Sequence, residues 1–171
     1  RLSKGEMVGL FQGNPEAGPR ALGHRSLLFD PRQSDAIDIV NRIKGREWYR
    51  PCAISILSEQ LSGHVEFPKH ILSRDMTINY IANEEAKRKM PGGIHVDSSC
   101  RFHCVDRDTN SGLRAVIEEF HKMTGVPAVI NTSMNLAGEP LIHTAKQAVD
   151  LVDRSEVSAV YFADLGRIYE K

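Results

Sequence analysis

Residues 16–32 have the sequence EAGPRALGHRSLLFDPR, in which a bending segment with two arginines continues directly into an apolar run. Its Gly-Pro pair is typical of a turn, and residues 26–30 are predicted to form a short buried strand. The turn would present Arg20 and Arg25 beside the start of that strand. Because a guanidinium group forms paired hydrogen bonds, it suits phosphate or carboxylate better than a hydrophobic core. The alternative interpretation is a surface turn whose two arginines are solvated.

Size and composition indicate one globular domain. The chain has 171 residues, of which 41% are hydrophobic and 26% charged, and its net charge is +0. Overall charge therefore does not indicate nucleic acid or an acidic membrane, and an anion site would need local clustering. Three cysteines favour reduced thiols in a cytoplasmic protein. No apolar run reaches the length of a membrane span, and a start at Arg1 without Met suggests a piece of a longer polypeptide.

Strand and helix patterns alternate along the chain, which predicts an α/β or α+β fold. Strands are predicted at residues 7–11, 26–30, 52–57, 76–82, 94–97, 101–105, 126–130, 157–163 and, at an edge, 167–169. Apolar residues with helical spacing occur at 36–43, 113–120 and 145–152. Residues 58–73 are predicted to be rich in loops, with His64 and His70 as solvated loop histidines.

Basic residues are concentrated between residues 20 and 50, where seven Lys and Arg face four Asp and Glu. The seven are Arg20, Arg25, Arg32, Arg42, Lys44, Arg46 and Arg50. A helix C-terminus favours cations and would explain Lys44 and Arg46 without any ligand. It does not explain Arg20, Arg25 and Arg50, which lie in turns or beside a strand.

Residues 131–135, Asn-Thr-Ser-Met-Asn, follow a predicted strand, a common place for ligand groups in α/β proteins. The alternative is a polar turn without a ligand. Phosphoryl and adenylyl transfer depend mainly on positioning and on neutralising charge. The candidate cations are Arg20, Arg25, Lys44, Arg46, Arg50 and Arg101. Ser133 and Asn135 are candidates for orienting neutral groups, so the residues by themselves predict an anionic, phosphate-bearing ligand.

Cys100, His103 and Cys104 have a spacing that suggests zinc, but strand alternation points His103 away from both cysteines. No second cluster of ligands has the usual spacing. We therefore expect no protein-bound metal in this chain. A phosphate-binding P-loop, a dinucleotide-binding turn and a hydrolase nucleophile elbow are also absent from the sequence.

The chain resembles the C-terminal domain of the ATP-dependent O-carbamoyltransferases, a family that includes nodulation-factor and antibiotic carbamoyltransferases. The likeness rests on motifs at residues 16–26, 30–32, 41–51, 95–101, 131–135 and 138–140. Four positions depart from the family pattern, and Phe is usual at two of them, Cys52 and Met134, where the change concerns packing. Members tend to have Gly where this chain has Ser98, which bears on the backbone path there. They tend to have Gln where it has His103, which bears on one ligand contact.

The resemblance implies a YrdC-like fold, in which helices flank a twisted mixed β-sheet with a basic concave face. Residues 1–171 would form a single domain, and the Kae1-like domain that precedes it in the family is absent here. This domain would bind carbamoyl phosphate and ATP, with Mg²⁺ held by substrate oxygens, and would form carbamoyl adenylate. The carbamoyl group would then pass to an acceptor hydroxyl in the preceding, metal-containing domain.

The resemblance also implies roles for ten residues. The catalytic candidates are Lys44, Arg46, Arg20 and Arg50, and the substrate-binding candidates are Arg25, Ser26, Arg101, Asn131, Ser133 and Asn135. We expect neither a membrane nor a nucleic acid among the partners. Two alternatives remain: a non-catalytic nucleotide- or RNA-binding module, and a domain that only docks on the missing transferase domain.

Overall fold

The protein is built on one mixed β-sheet of nine strands, and the computed structural model describes all residues, 1–171. The strands are β1 Val8–Phe11, β2 Arg25–Phe29, β3 Ala53–Leu57, β4 Val65–Phe67, β5 Asn79–Ala82, β6 Ser99–Val105, β7 Ala128–Ser133, β8 Ala159–Phe162 and β9 Arg167–Glu170. Their order across the sheet is β4-β5-β6-β3-β7-β2-β1-β8-β9. The pairs β1–β8 and β3–β6 are parallel and the other neighbours antiparallel, so the predicted mixed sheet is confirmed.

Four α-helices accompany the sheet. They are α1 Ala36–Lys44, α2 Glu84–Lys89, α3 Ser111–Thr124 and α4 Ala145–Arg154. Short 3₁₀ turns occur at Leu2–Lys4, Ser58–Gly63, Pro91–Gly93 and Ala163–Leu165. The longest helix, α3, has 14 residues, and none of the helices is long and apolar enough to cross a bilayer.

Two hydrophobic cores hold the helices against the sheet. Leu113, Ile117 and Phe120 of α3 belong to a cluster of 21 buried residues with the central strands. Val40 of α1 and Leu151 of α4 belong to a second cluster of 14 buried residues that includes Leu27 of β2, whereas Leu28 belongs to the first. Since successive side chains of a strand point to opposite faces, one strand can serve both cores.

Pairing of the central strands brings distant motifs together. Ser26 of β2 lies opposite Ser133 of β7, and Asn131 of β7 lies opposite Ala53 of β3. Ala53 in turn lies opposite Arg101 of β6. Residues that lie opposite each other share a face of the sheet, so four separate segments contribute to one surface at the ends of these strands.

Three local predictions are wrong. Residues 58–73, which were predicted to be rich in loops, contain a 3₁₀ turn and the edge strand β4. Val65 of β4 is buried and pairs with Ala82 of β5. Residues 94–97 form a turn instead of a strand. His64 is buried, and its Nδ1 donates to the Gln60 carbonyl at 2.8 Å, whereas His70 is exposed as predicted.

Candidate functional site

A cavity of about 300 Å³ opens beside the paired ends of β2, β7, β3 and β6. Its lining consists of Pro19, Arg20, Ala21, Arg46, Arg50, Pro51, Ala53, Met76, Arg101, Asn131, Thr132 and Ser133. This set contains four arginines and no carboxylate. The cavity therefore joins six of the ten residues predicted as site residues, from four separate parts of the sequence.

The buried side chain of Asn41 shapes the segment that carries Arg46 and Arg50. Its Nδ2 donates to the carbonyls of Trp48 at 2.8 Å and Arg50 at 2.9 Å. Its Oδ1 accepts a hydrogen bond from Nε of Arg46. One amide near the end of α1 thus folds residues 46–50 back and holds the Arg46 guanidinium at the cavity.

Glu16 organises the turn that carries Arg20. Its Oε1 accepts hydrogen bonds from the backbone N–H groups of Leu22 at 2.7 Å, His24 at 2.8 Å and Arg25 at 3.3 Å. Gly23 has a φ of +104°, and a Cβ there would lie 2.5 Å from Nδ2 of Asn110. The glycine and the carboxylate together explain how this turn fits tightly against the start of α3.

The positive groups of the cavity oppose one another. Burial lowers the pKa of Arg101, and the charge of Arg20 lowers it further. Burial also lowers the pKa of Arg46, where nearby Arg50 adds to the effect although Cys52 and Glu47 act against it. Arg50 pairs with Glu47 at 2.6 Å, an exposed pair at the rim. Because no carboxylate lines the cavity, an anion would relieve this repulsion.

Lys44 lies directly behind the cavity wall and does not line it. Its Nζ donates to the Ser133 carbonyl, to Ser133 Oγ at 3.2 Å and to Asn135 Oδ1 at 3.1 Å. The residue is only 4% exposed. Burial, followed by the charge of Arg46, lowers the pKa of Lys44 to about 7. Lys44 thus fixes the positions of Ser133 and Asn135, and burial makes its own positive charge energetically unfavourable.

Arg25 and Ser26 do not contribute to the cavity, contrary to prediction. The guanidinium of Arg25 donates to the carbonyls of Gln12 at 2.7 Å, His24 at 2.9 Å and Gly13 at 3.0 Å, and it lies 3.5 Å from the centre of the Phe11 ring. Strand alternation places this side chain on the face opposite Ser26.

Ser26 shares the face of the cavity but is fully buried, and its Oγ accepts a hydrogen bond from Gly23 N–H at 3.0 Å. We therefore withdraw both residues from the candidate ligand set. They hold the arginine turn in place.

Six of the lining residues were not among the candidates from the sequence: Pro19, Ala21, Pro51, Ala53, Met76 and Thr132. Thr132 lies inside the polar segment that the sequence identified, and its Oγ1 accepts from Arg46 Nη1 at 3.4 Å. Met76 belongs to no motif, and it has the uncommon positive φ of 56°. Only the folded chain could reveal Met76 as part of the wall. Ser98 also has a positive φ, 66°, a backbone conformation that glycine adopts without strain, as expected from the Gly of the family pattern.

Strand β6 separates the residues whose spacing suggested zinc. Cys100 and Cys104 are buried in the hydrophobic core on one face. His103 points to the other face, where its Nδ1 lies 2.9 Å from Ser55 Oγ. The structure brings no three His, Cys, Asp or Glu side chains together in a way that could hold a metal ion.

Besides a cavity of about 360 Å³ at α3, two cavities of about 640 Å³ each lie elsewhere. One is a mainly apolar groove between α3 and the strands β1 and β8. The other lies on the far side of the arginine turn and shares Pro19 and Arg20 with the smaller cavity. Only the cavity of about 300 Å³ combines several cations with the polar end of β7.

Comparisons with known proteins find relatives of this chain among nodulation proteins. The chain is 39% identical over 150 residues to the nodulation protein NolNO of Sinorhizobium fredii, which covers 86% of this chain and 22% of that protein. It is also 39% identical over 150 residues to the nodulation protein NolO of Bradyrhizobium diazoefficiens, covering 86% of this chain and 27% of that protein. The chain thus spans about a quarter of the length of these curated relatives.

The fold is similar to that of a doubly substituted variant of Sua5 from P. abyssi. The TM-score is 0.59 at 15% sequence identity, and the match covers 95% of this chain and 48% of that chain. This confirms the expected YrdC-like fold. Residues 1–167 match the family described as "Carbamoyltransferase C-terminus". The chain therefore belongs to the carbamoyltransferase C-terminus family.

Proposed function

We propose that this chain binds carbamoyl phosphate and ATP and forms carbamoyl adenylate on behalf of a carbamoyltransferase. The observation that supports this most strongly is the cavity itself, which four arginines line without any carboxylate. Such a site is suited to several phosphate groups at once, because each guanidinium forms paired hydrogen bonds to phosphate oxygens. Membership of the family directs the choice among phosphate-bearing ligands.

The reaction requires two steps. Carbamoyl phosphate first loses its phosphate to water, which leaves carbamate. An oxygen of carbamate then attacks the α-phosphorus of ATP, the bond from that phosphorus to the bridging oxygen breaks, and pyrophosphate leaves. ATP enters as a substrate with Mg²⁺. Because the cavity wall holds no carboxylate, the ion would be bound by phosphate oxygens and water.

The proposed role of each residue follows from where it lies in the cavity. Arg46, Arg50 and Arg20 bind phosphate groups and neutralise the charge that develops during displacement. Arg101 completes the anion pocket from β6. Ser133 Oγ faces the ligand from the wall, held by the Lys44 ammonium and Asn135 behind it. Lys44 contributes a positive charge one layer away from the phosphates.

The rest of the reaction lies outside this chain. We propose that the carbamoyl group passes to an acceptor hydroxyl bound by a Kae1-like domain of the same polypeptide, which acts in the cytoplasm. The greater length of the curated relatives leaves room for such a domain.

Exchange of labelled pyrophosphate into ATP tests the proposal. We expect exchange only when carbamoyl phosphate is present. Arg46→Gln should reduce the exchange rate by about 30-fold to 1,000-fold, as loss of a preorganised donor costs about 2–4 kcal/mol. Arg42→Gln is the matched control, because Arg42 forms only an exposed pair with Glu156 on the outside of α1. ATP binding without exchange would instead favour a non-catalytic nucleotide-binding module.

A further inference from the structure

The guanidinium of Arg46 is held at all three of its nitrogen atoms. Nε donates to Asn41 Oδ1, Nη1 donates to Thr132 Oγ1 at 3.4 Å, and Nη2 donates to Cys52 Sγ at 3.3 Å. These acceptors come from α1, from β7 and from the residue just before β3. Because a guanidinium has five N–H groups, one N–H on each terminal nitrogen remains for a ligand in the cavity.

All three acceptors around Arg46 are neutral. Asn41 contributes an amide oxygen and Thr132 a hydroxyl. Burial raises the pKa of Cys52 although the charge of Arg46 acts against this effect, so the thiol stays protonated near pH 7. No carboxylate accepts a hydrogen bond from this guanidinium, in contrast to Arg50, which pairs with Glu47. The contacts therefore orient the guanidinium without cancelling its charge.

Cys52 is the member of this set that the family pattern does not predict. The residue is 1% exposed, packs in the second hydrophobic core and does not line the cavity. The phenylalanine that is usual at this position would meet a guanidinium only with the face of its ring and offers no acceptor to one particular nitrogen. The departure at Cys52 therefore concerns the orientation of Arg46 as well as packing.

We propose that Asn41, Thr132 and Cys52 form a neutral clamp, which fixes the direction of the Arg46 guanidinium and leaves its charge to the phosphate-bearing ligand. The inference rests on the proposed function, since it explains how one of the phosphate-binding arginines is oriented. Cys52 is a positioning residue, because it acts on the ligand only through Arg46. Donors that are oriented in advance need no rearrangement when negative charge develops on the ligand.

Rotation of the Arg46 guanidinium tests the clamp in the wild-type protein without any ligand. A guanidinium held at both terminal nitrogens turns slowly about its Nε–Cζ bond, and its two Nη atoms then give separate ¹⁵N NMR signals. We expect separate signals for Arg46 at a temperature where those of the exposed Arg167 have merged. Rotation of Arg46 as fast as that of Arg167 would overturn the inference.

Substitutions at Cys52 test how the clamp affects ligand binding. Cys52→Val removes the acceptor and should speed the rotation of Arg46 and weaken pyrophosphate binding about threefold to tenfold. Cys52→Ser restores an acceptor, and its affinity should stay within about twofold of wild type. Cys104→Val is the matched control, because this buried cysteine belongs to the other core, and it should change neither quantity. Unchanged rotation and affinity in folded Cys52→Val would overturn the inference while leaving the phosphate site intact.

A second pair of variants tests whether the clamp has to be neutral. Cys52→Asn and Cys52→Asp both present an oxygen acceptor, but only the aspartate cancels charge on Arg46. Pyrophosphate should bind at least about tenfold more weakly to Cys52→Asp than to Cys52→Asn, and equal affinities would contradict the proposed neutrality. Thermal unfolding identifies the variants that remain folded, and rotation in the wild type decides the inference if none does. A wild-type protein that binds neither pyrophosphate nor carbamoyl phosphate would overturn the proposed function itself.

Discussion

The ammonium nitrogen of Lys44 lies 3.1 Å from Oδ1 of Asn135, which joins the end of α1 to the loop that follows β7. All three acceptors around this nitrogen are neutral, so none of them compensates for removing the charge from water. The positive charge of Arg46 adds to the cost. The same arrangement that positions Ser133 and Asn135 therefore places a cation directly behind the candidate phosphate site, and its charged form is disfavoured by burial.

Replacing Lys44 with Met should change how stability depends on pH. Burial lowers the pKa of Lys44 from 10.5 to about 7 in the folded protein. Between these values the unfolded chain binds more protons than the folded chain, so this group makes stability rise with pH. Its destabilising effect is complete below about pH 7 and disappears as pH rises toward 10.5. The free energy of unfolding of wild type minus that of Lys44→Met should increase by about 1 kcal/mol per pH unit across this window. Urea unfolding at several pH values measures it, and a flat difference would show that Lys44 keeps an ordinary pKa.

Binding of an anion should be accompanied by proton uptake at Lys44. A dianion in the cavity stabilises the charged ammonium and raises its pKa, so a lysine that is mostly neutral at pH 8 becomes protonated on binding. Sulfate is a suitable probe because its own charge is constant over this range. Titration calorimetry in buffers of different ionisation heat should show uptake of a substantial fraction of one proton at pH 8 and little at pH 6. Lys44→Met should abolish the uptake, and uptake that persists in this variant would assign the proton to another group.

Gly23 should tolerate alanine poorly, and Gly18 should tolerate it well. The φ of +104° at Gly23 is unfavourable for a residue with a Cβ, and that Cβ would lie 2.9 Å from Leu113 Cβ. We expect Gly23→Ala to lower the free energy of unfolding by about 1–3 kcal/mol. Nothing lies within 4 Å of a Cβ at Gly18, in the same turn, so Gly18→Ala should stay within about 0.5 kcal/mol of wild type. Equal effects of the two substitutions, measured by urea unfolding, would contradict the described turn.

Arg25 and Arg50 should respond in opposite ways to substitution. Arg25 is 2% exposed, and its guanidinium donates hydrogen bonds to backbone carbonyls. Arg25→Met should therefore lower the free energy of unfolding by about 2–4 kcal/mol. The affinity of the folded variant for sulfate should change less than threefold. Arg50 is exposed at the rim, and Arg50→Gln should cost less than about 1 kcal/mol in stability while weakening sulfate binding about tenfold. Weaker sulfate binding by stable Arg25→Met would return Arg25 to the ligand set.

The sequence predicted most of the architecture because the main elements have strong local patterns. Helix α3 has regularly spaced apolar residues and ends at Gly125, whose φ is 76°. Helix α4 begins with the predicted Thr144–Gln147 capping box. Strand β4 was missed because it has only three residues, and its burial pattern arises from tertiary pairing with β5. Short edge strands carry too little local pattern to be distinguished from loops.

The candidate site was predictable where it depends on the type of residue, but not where it depends on the direction in which a side chain points. Arg46 and Ser133 occur in segments whose composition already indicated ligand contact, and the structure places both at the cavity. Arg25 has the same chemistry as Arg20 but points to the other face of the sheet, a difference that depends on strand register. The orientation of the Asn131 side chain depends on hydrogen bonds to Ser55 and Ala21, which lie 76 and 110 positions earlier in the chain. No local sequence pattern indicates these contacts.

The central claim is that arginines from distant segments bind one phosphate-bearing ligand together, and the Nε–Hε NMR signals of arginine test it directly. Pyrophosphate is titrated into ¹⁵N-labelled protein, and each signal is assigned by single substitution. We predict that four signals shift with one common dissociation constant, those of Arg20, Arg46, Arg50 and Arg101. The signals of Arg25 and Arg42 should remain where they are. Shifts spread equally over Arg42 and other surface arginines, or no saturable shift at the four, would contradict the account.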